Sequence, residues 1–378
     1  MKNSFGSAVT LTIFGESHGA AVGAVLDGLA AGLPVDAAFL AGRMERRRAQ
    51  GGGLSTARIE PDKIEFLSGV ADGHTTGTPV AMVVRNTNTR SGDYAKTADL
   101  LRPGHADYTA EVKYEGWQDA RGGGHFSGRI TAAVVAAGAL CEAVLAGLGV
   151  QVATHIAEIA GVADAPLSSG AGQRLFAPGG TADWPAPGHF ALLDPSCEAP
   201  MQAAIRAAAA EGDSVGGILE TVAVGLPAGV GEPFFDSVES ELAHLLFSVP
   251  AVKGVEFGAG FGFARLRGSQ ANDAFVLREG RVATATNRNG GLNGGITNGM
   301  PVVVRTVVKP TASIYQPQQT VDLRAMAPAT LQIKGRHDPC IAARAAAVQN
   351  SMVAFGLLDL LTVRYGTLAQ KHGLPPQN

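Results

Sequence analysis

Three of the nine histidines sit in short turns framed by glycine or proline and by charged neighbours. They are His18 in GESHG, His105 in RPGHAD and His337 in GRHDP. Glycine beside a histidine lets the backbone approach a ligand and leaves the ring exposed. A ring that titrates near neutrality can give or take a proton in turnover. His74, His155, His189, His244 and His372 lack such a setting and read as surface or satisfied core residues. Arginines gather in the same places: Arg46, Arg47 and Arg48 form one run, and Arg102, Arg121, Arg129 and Arg336 lie in or beside the glycine-rich turns. Guanidinium groups bind phosphate and carboxylate bidentately, so several converging on one cavity would suit a small, multiply anionic substrate. The competing reading is a set of unrelated surface ion pairs, each worth little.

Glycine clusters add two candidate anion sites. RGGGHFSGRIT (121–131) has Walker-like spacing at Gly123 and Gly128, but Arg129-Ile130 replaces the required Lys-Ser/Thr. Ser127 also stands where a dinucleotide fingerprint needs its third glycine, so nucleotide phosphate is not signalled. What remains is a loop whose N–H groups, Ser127 hydroxyl and Arg129 could hold an anion at a helix start. RNGGLNGGITNGM (288–300) precedes a strand ending in KPTAS, where Lys309, Thr311 and Ser313 offer further donors. A tight β-turn would explain those glycines but not the KPTAS end. No H-E-x-x-H or zinc-like Cys/His spacing occurs, and Ser17 lacks the G-x-S-x-G elbow of a hydrolase.

The elements that must position these residues are legible in the pattern. Strands are predicted at 22–30, 79–85, 151–161, 217–226, 251–257 and 301–308. Helices are predicted at 36–48, with an Asp cap and basic last turn, and at 128–148, 198–211 and 338–363. The run GAVLDGLAAGLPVDAAFLAGRMERR is echoed by GILETVAVGLPAGVGEPFFDSVESELAHLL from Gly217 to Leu246, each reading strand, Gly-Leu-Pro turn, Asp-capped helix. Two copies imply a pseudo-symmetric α+β fold and not a solenoid. A Pro-, Gly- and Ser-rich stretch at 163–196 reads as a surface insertion. The expected organisation is one domain over 1–369 and a mobile tail over 370–378.

Composition narrows the class. Of 378 residues, 46% are hydrophobic and 17% charged, so much surface must be buried in a core or in subunit contacts. A formal charge of −3 gives no general attraction for nucleic acid. Three widely spaced cysteines fit a reducing compartment, and no signal peptide or 18-residue apolar span is read, so a cytoplasmic protein without membrane contact is expected.

The chain closely resembles the chorismate synthases. The likeness is carried in order by FGESHG, LSTARIEPDKIEFLSGV, TTGTPVAMVVRN, RPGHADYTAEVKY, RGGGHFSGRITAA, EGDSVGG, VPAVKGVEFGAGF, RGSQANDAF, NGGLNGGITNGMPV, KPTASI and GRHDPC. The resemblance implies a β-α-β sandwich with an internal repeat, assembled as a homotetramer with the flavin near subunit contacts. It implies an anti-1,4-elimination of phosphate from 5-enolpyruvylshikimate 3-phosphate to give chorismate. That reaction needs reduced FMN without net redox change, and in some members NADPH is the reductant. Matched position by position, His18 would protonate the leaving phosphate, His105 would serve the flavin, and Asp338 would help remove the C6 proton. Ser17, Arg47, Arg129 and Arg336 would contact substrate, Arg47 also NADPH. FMN would meet His125, Phe126, Ser127, Pro250, Ala251, Gly294, Lys309, Pro310, Thr311, Ala312, Ser313 and Arg336. The chain departs from the common pattern at His125-Phe126, where many members read Arg-Ser, at Ile130 for Glu, and at Gly53 for an arginine. A catalytically silent flavin- or phosphate-binding protein of the same fold is the rival reading, and retention of His18, His105 and Asp338 together argues against it.

Overall fold

The computed structural model describes residues 2–49, 53–56, 58–89, 99–167, 169–176, 184–278, 280–333, 335 and 337–375. Arg336 therefore lies outside the described residues. The first half contains β1 (Thr10–Gly15), β2 (Ala21–Asp27), α1 (Ala37–Arg47), β3 (Ile64–Ser68), β4 (Val80–Arg85), α2 (Asp107–Tyr114) and α3 (Thr131–Gly147). The second contains β5 (Gln151–Ile159), α4 (Glu198–Ala210), β6 (Gly217–Val224), α5 (Val238–Ser248), β7 (Val252–Phe257), β8 (Val302–Val308) and α6 (Ala342–Tyr365).

The internal echo is a structural repeat. The strands of the first sheet lie in the order β1-β2-β4-β3 and those of the second in the order β5-β6-β8-β7, all pairs antiparallel. Leu26 pairs with Val80 in one, and Gly217 with Val308 in the other. Helix α3 packs on the first sheet, α6 on the second, and the two helices pack on each other. The result is a sheet–helix–sheet sandwich of the α+β class.

The two central helices are apolar on nearly every face, as a helix between two sheets must be. Segments Gly128–Gly147 and Ala342–Tyr365 are long and apolar enough to cross a membrane, which corrects the expectation that no such span exists. They are 83% and 89% buried within the protein, so they are core helices here. Their contact is set by one glycine. A Cβ added at Gly138 would stand 2.2 Å from Ser351 Cβ and 2.6 Å from its Cα.

Several boundaries differ from the sequence expectation for identifiable reasons. Helix α6 begins at Ala342 and not at 338, because Pro339 disfavours helical backbone at the residue before it. The helix of the second repeat is capped by Ser237, whose Oγ accepts from Ser240 N at 3.0 Å, and not by Asp236. The described part of the 163–196 insertion docks along the edge of β5, where Ile156 N donates to Ala191 O at 2.8 Å and Leu192 is buried. The tail is not mobile from 370. Gln370 is buried, accepting from Ala30 N at 2.9 Å and donating to Gly28 O at 3.1 Å.

Gly138→Ala should destabilise the protein by about 1–3 kcal/mol through overpacking against a backbone that cannot retreat. A lowered midpoint in denaturant unfolding checks this, and an unchanged midpoint would mean the α3–α6 contact is looser than described.

Candidate active site

Helix α1 delivers two arginines to the interior. Its buried residues are Leu40, Arg43, Met44 and Arg47, spaced i, i+3, i+4, i+7 on one face. Arg47, 2% exposed, donates from Nη1 to Asp62 Oδ2 at 2.6 Å, from Nε to Thr131 Oγ1 at 3.0 Å and from Nη2 to Gly128 O at 3.2 Å. Burial, and then the nearby Arg344, bring its pKa down to about 9, so it stays charged at neutral pH. Arg129 donates from Nη1 to the other oxygen of Asp62, from Nε to Asn86 Oδ1 at 2.7 Å and from Nη2 to Arg85 O at 3.1 Å. One carboxylate thus joins two guanidiniums, from a backbone at φ 50° that asparagine and aspartate tolerate better than most side chains.

The triple-glycine loop is a seat for the histidines. Gly122 and Gly123 have φ of 60° and 81°. A Cβ at Gly122 would stand 2.1 Å from His18 Cε1 and 3.0 Å from Ser17 Oγ. One at Gly123 would stand 3.2 Å from His105 Cε1 and 3.4 Å from its Nε2. Ser17 N donates to Gly124 O at 3.0 Å, fixing the GESHG turn on this loop. Arg58 holds the other side of that turn, donating to Ser17 Oγ at 2.8 Å and Ser17 O at 2.9 Å, and it pairs with Glu60. Burial, and then the charge of Arg58, lower the His18 pKa.

His105 is oriented by Asp107. Nδ1 lies 2.8 Å from Asp107 Oδ1, while Arg102 donates to the same carboxylate from Nε at 2.8 Å and Nη2 at 2.6 Å. Burial pushes the Asp107 carboxyl up, but the His105 and Arg102 hydrogen bonds and charges outweigh it and hold the group well below the usual carboxylate range. Facing an ionised Asp107, Nδ1 carries the proton and Nε2 is left beside Gly123. Asp338 accepts from Thr56 N at 2.9 Å and from Arg344 Nη1 at 2.8 Å. His337 is mostly buried, and burial, followed by the charge of Arg102, lowers its pKa to about 4.

These groups wall a cavity of about 200 Å³. Its lining includes six arginines, at 47, 48, 58, 102, 129 and 344, against three carboxylates, at 60, 62 and 338. Arg102 and Arg48 pair with Asp107 and Glu45 just outside that lining, so the excess is the positive charge left where Asp62 serves both Arg47 and Arg129, and it favours an anionic occupant. Two buried polar atoms in the wall, Thr311 Oγ1 and His337 Nε2, have no hydrogen-bond partner among the described residues. Buried polar groups are normally paired, so these fit a ligand with its own donors and acceptors, as a flavin ring or phosphate has. Among the described residues no cluster of His, Cys, Asp and Glu could hold a metal.

Of the sequence-predicted residues, the cavity brings together Ser17, Arg47, His105, Ser127, Arg129, Thr311, Ala312, Ser313 and Asp338. His18 does not line it but touches Gly122, which does. Lys309 braces the wall from behind, donating from Nζ to Gly104 O at 2.5 Å and from its backbone N to Ala251 O at 2.9 Å. Pro250, Ala251, Gly294 and Pro310 do not line the cavity. Neither do His125 and Phe126. His125 donates from Nδ1 to Gly15 O at 2.8 Å, and Phe126 stands edge-on to Tyr114, so both anchor the loop. Arg47 is a buried link between Asp62, Thr131 and Gly128 at the cavity wall. Arg121 pairs with Asp119 at the surface. Arg58, Glu60, Asp62, Asp107 and Arg344 were given no role in the sequence reading. The first three lie at every second residue of the irregular segment before β3, where Asp62 enters the left-handed region, so no strand alternation marks them.

Comparison with known proteins agrees over nearly the whole chain. The sequence profile of the chorismate synthase family matches residues 9–362. Chorismate synthase of Thermococcus gammatolerans is 46% identical over 359 residues, covering 95% of this chain and 97% of that protein. The enzyme of Dehalococcoides mccartyi is 44% identical over 361 residues, covering 95% and 96%. A crystal structure of chorismate synthase superposes with a TM-score of 0.71 at 27% identity, covering 96% of this chain and 94% of that one.

The lowered pKa of His337 has a stability consequence with a definite sign. Between the ordinary value of 6.5 and the folded value of about 4, the unfolded chain binds the proton more readily, so stability falls as pH falls through this window. His337→Asn should flatten the loss of thermal midpoint across that window; an unaltered slope would show that His337 titrates normally.

Proposed function

The chain belongs to the chorismate synthase family and converts 5-enolpyruvylshikimate 3-phosphate to chorismate, and we propose that it does so in the arginine-walled cavity. It is a lyase of the shikimate pathway, which leads to the aromatic amino acids. The observation that carries the placement is the unbalanced set in the cavity wall, Asp62 shared by Arg47 and Arg129, beside two histidines seated on glycine backbone. The substrate brings two carboxylates and a phosphate, the anionic groups that such a wall attracts.

The proposed roles follow from the contacts. Ser17 and His18 stand together where Arg58 and Gly122 fix them, and they receive the leaving phosphate. Burial and the charge of Arg58 hold His18 below its ordinary pKa, and a phosphate dianion beside it would favour its protonated form. Arg47 and Arg129 act as a fixed pair of positive charges, since their Nε and both Nη nitrogens are anchored to protein groups. Arg336, carried over from the family pattern, joins them as a substrate or flavin contact. Asp338, pinned by Arg344 and Thr56 N, is placed to accept the C6 proton.

We assign reduced FMN to the side of the cavity formed by Ser127, Thr311, Ala312 and Ser313, with His105 Nε2 toward it. When bound, the reduced flavin supplies the electron-rich ring that the elimination requires. The Asp107–His105 pair keeps one tautomer at Nε2, and the unpartnered Thr311 Oγ1 offers a hydrogen bond. Assembly into a homotetramer is supported by large exposed aromatics, among them Phe234, Phe235, Phe261 and Phe275. The three free cysteines are consistent with a cytoplasmic setting.

Anaerobic incubation with reduced FMN and 5-enolpyruvylshikimate 3-phosphate should yield chorismate and phosphate in equal amounts. His18→Ala and His105→Ala should each lower kcat by about 10²–10⁴-fold, the usual contribution of a positioned acid or base. Wild-type rates in either variant would remove these proton roles, and an absence of chorismate with the unaltered chain would contradict the assignment itself.

A further inference from the structure

One hydroxyl in the catalytic cavity has its direction decided by its neighbours. Ser17 is 1% exposed and lines the cavity wall. Its Oγ accepts from Arg58 Nη1 at 2.8 Å, and a guanidinium has no acceptor to offer in return. The hydroxyl proton therefore points away from Arg58, and among the described residues no protein group accepts it. Resting on the lyase reading above, we propose that Arg58 is a positioning residue: by occupying the Ser17 oxygen it turns the hydroxyl proton toward the leaving phosphate and makes this corner selective for a phosphate ester.

Arg58 can do this because it is itself held on three sides. Nη2 donates to Ser17 O at 2.9 Å and Nε to Glu60 Oε1 at 3.0 Å. Glu60, 4% exposed, is fixed in turn by Thr87 Oγ1 at 2.7 Å, Thr87 N at 2.9 Å and Asn88 N at 3.2 Å. A carboxylate thus orients a guanidinium, and the guanidinium orients a hydroxyl. Glu60 pairs the charge of Arg58, so the contribution of Arg58 here is direction and not net attraction.

The seat fixes where the proton is aimed. Ser17 N donates to Gly124 O, and a Cβ at Gly122 would stand 3.0 Å from Ser17 Oγ and 2.1 Å from His18 Cε1. The hydroxyl and the imidazole therefore lie side by side over the same glycine. A hydroxyl that accepts from a cation is polarised, which strengthens the bond it donates. A phosphate offers it charged acceptors and makes that bond charge-assisted, whereas a ligand hydroxyl offers only a neutral one.

The test separates direction from charge. Arg58→Lys keeps the charge, but a single ammonium drawn to Glu60 cannot reproduce the three-way fork. Affinities of the flavin-free full chain are measured by titration calorimetry for 5-enolpyruvylshikimate 3-phosphate and for the same compound lacking its phosphate. Ser17→Ala and Arg58→Lys should each weaken the phosphate ester by about 10–100-fold, the usual range for a hydrogen bond to a charged group. The compound without phosphate should lose far less. The double variant should bind no more weakly than either single one, because both changes remove the same bond. Wild-type affinity for the ester in either single variant, equal losses for both compounds, or losses that multiply in the double variant would each overturn the proposal. Ser17→Ala leaves Arg58 and Glu60 in place and reads the hydroxyl without disturbing their pair. An unaltered chain with no preference for the ester would sink the lyase placement itself; variants that keep the preference would overturn only the role of Arg58.

Discussion

Everything at the centre of this protein is arranged around one carboxylate shared by two guanidiniums. Asp62 takes Arg47 on one oxygen and Arg129 on the other. Through them it ties the end of α1, the start of α3 and the strand edge at Arg85-Asn86 into one unit. Removing one member of such a buried set leaves an uncompensated charge, at a cost of about 3–5 kcal/mol. Two positive charges and one negative also leave the set unbalanced. The protein has preorganised an attraction for an anion before any ligand arrives, which is how fixed charges contribute to catalysis without reorganising during it.

The repeat explains where the chemistry comes from. In each half a long connection runs from the third strand in sheet order, β4 or β8, to the central helix, α3 or α6. The first carries Arg102, His105 and the triple-glycine loop; the second carries Thr311 to Ser313 and His337-Asp338. Both connections meet at one cavity because the helices they enter are packed together between the sheets. The catalytic centre is thus a place where two copies of one device, diverged in side chains, face each other.

Much of this was legible in the sequence, for physical reasons. The central strands and helices announced themselves by apolar runs and caps, and the repeat by its Gly-Leu-Pro turns. The glycine- and proline-framed histidine turns did converge as expected. What the sequence could not show is which partner satisfies each group. Arg129 looked like a free anion clamp, but its orientation depends on Asp62 and Asn86, which are distant in the chain. His125 and Phe126 were matched to flavin contacts by the family pattern. Gly122 to Gly124 turn the chain so that His125 meets Gly15 O of β1 and Phe126 meets Tyr114 of α2. The glycines were read as an anion-holding loop, and Gly122 and Gly123 also lie close under His18 and His105, since close approach by a side chain and by a ligand demand the same residue.

The central claim is that the cavity's uncompensated positive charge is the receptor for a phosphorylated dicarboxylate. Thermal unfolding of the flavin-free chain with 5-enolpyruvylshikimate 3-phosphate, and with the same compound lacking its phosphate, tests it most directly. A ligand that binds only the folded state raises the midpoint by mass action. The expected result is a saturable rise with the phosphate ester and a much smaller one without the phosphate. Equal shifts from both compounds, or none from either, would contradict it.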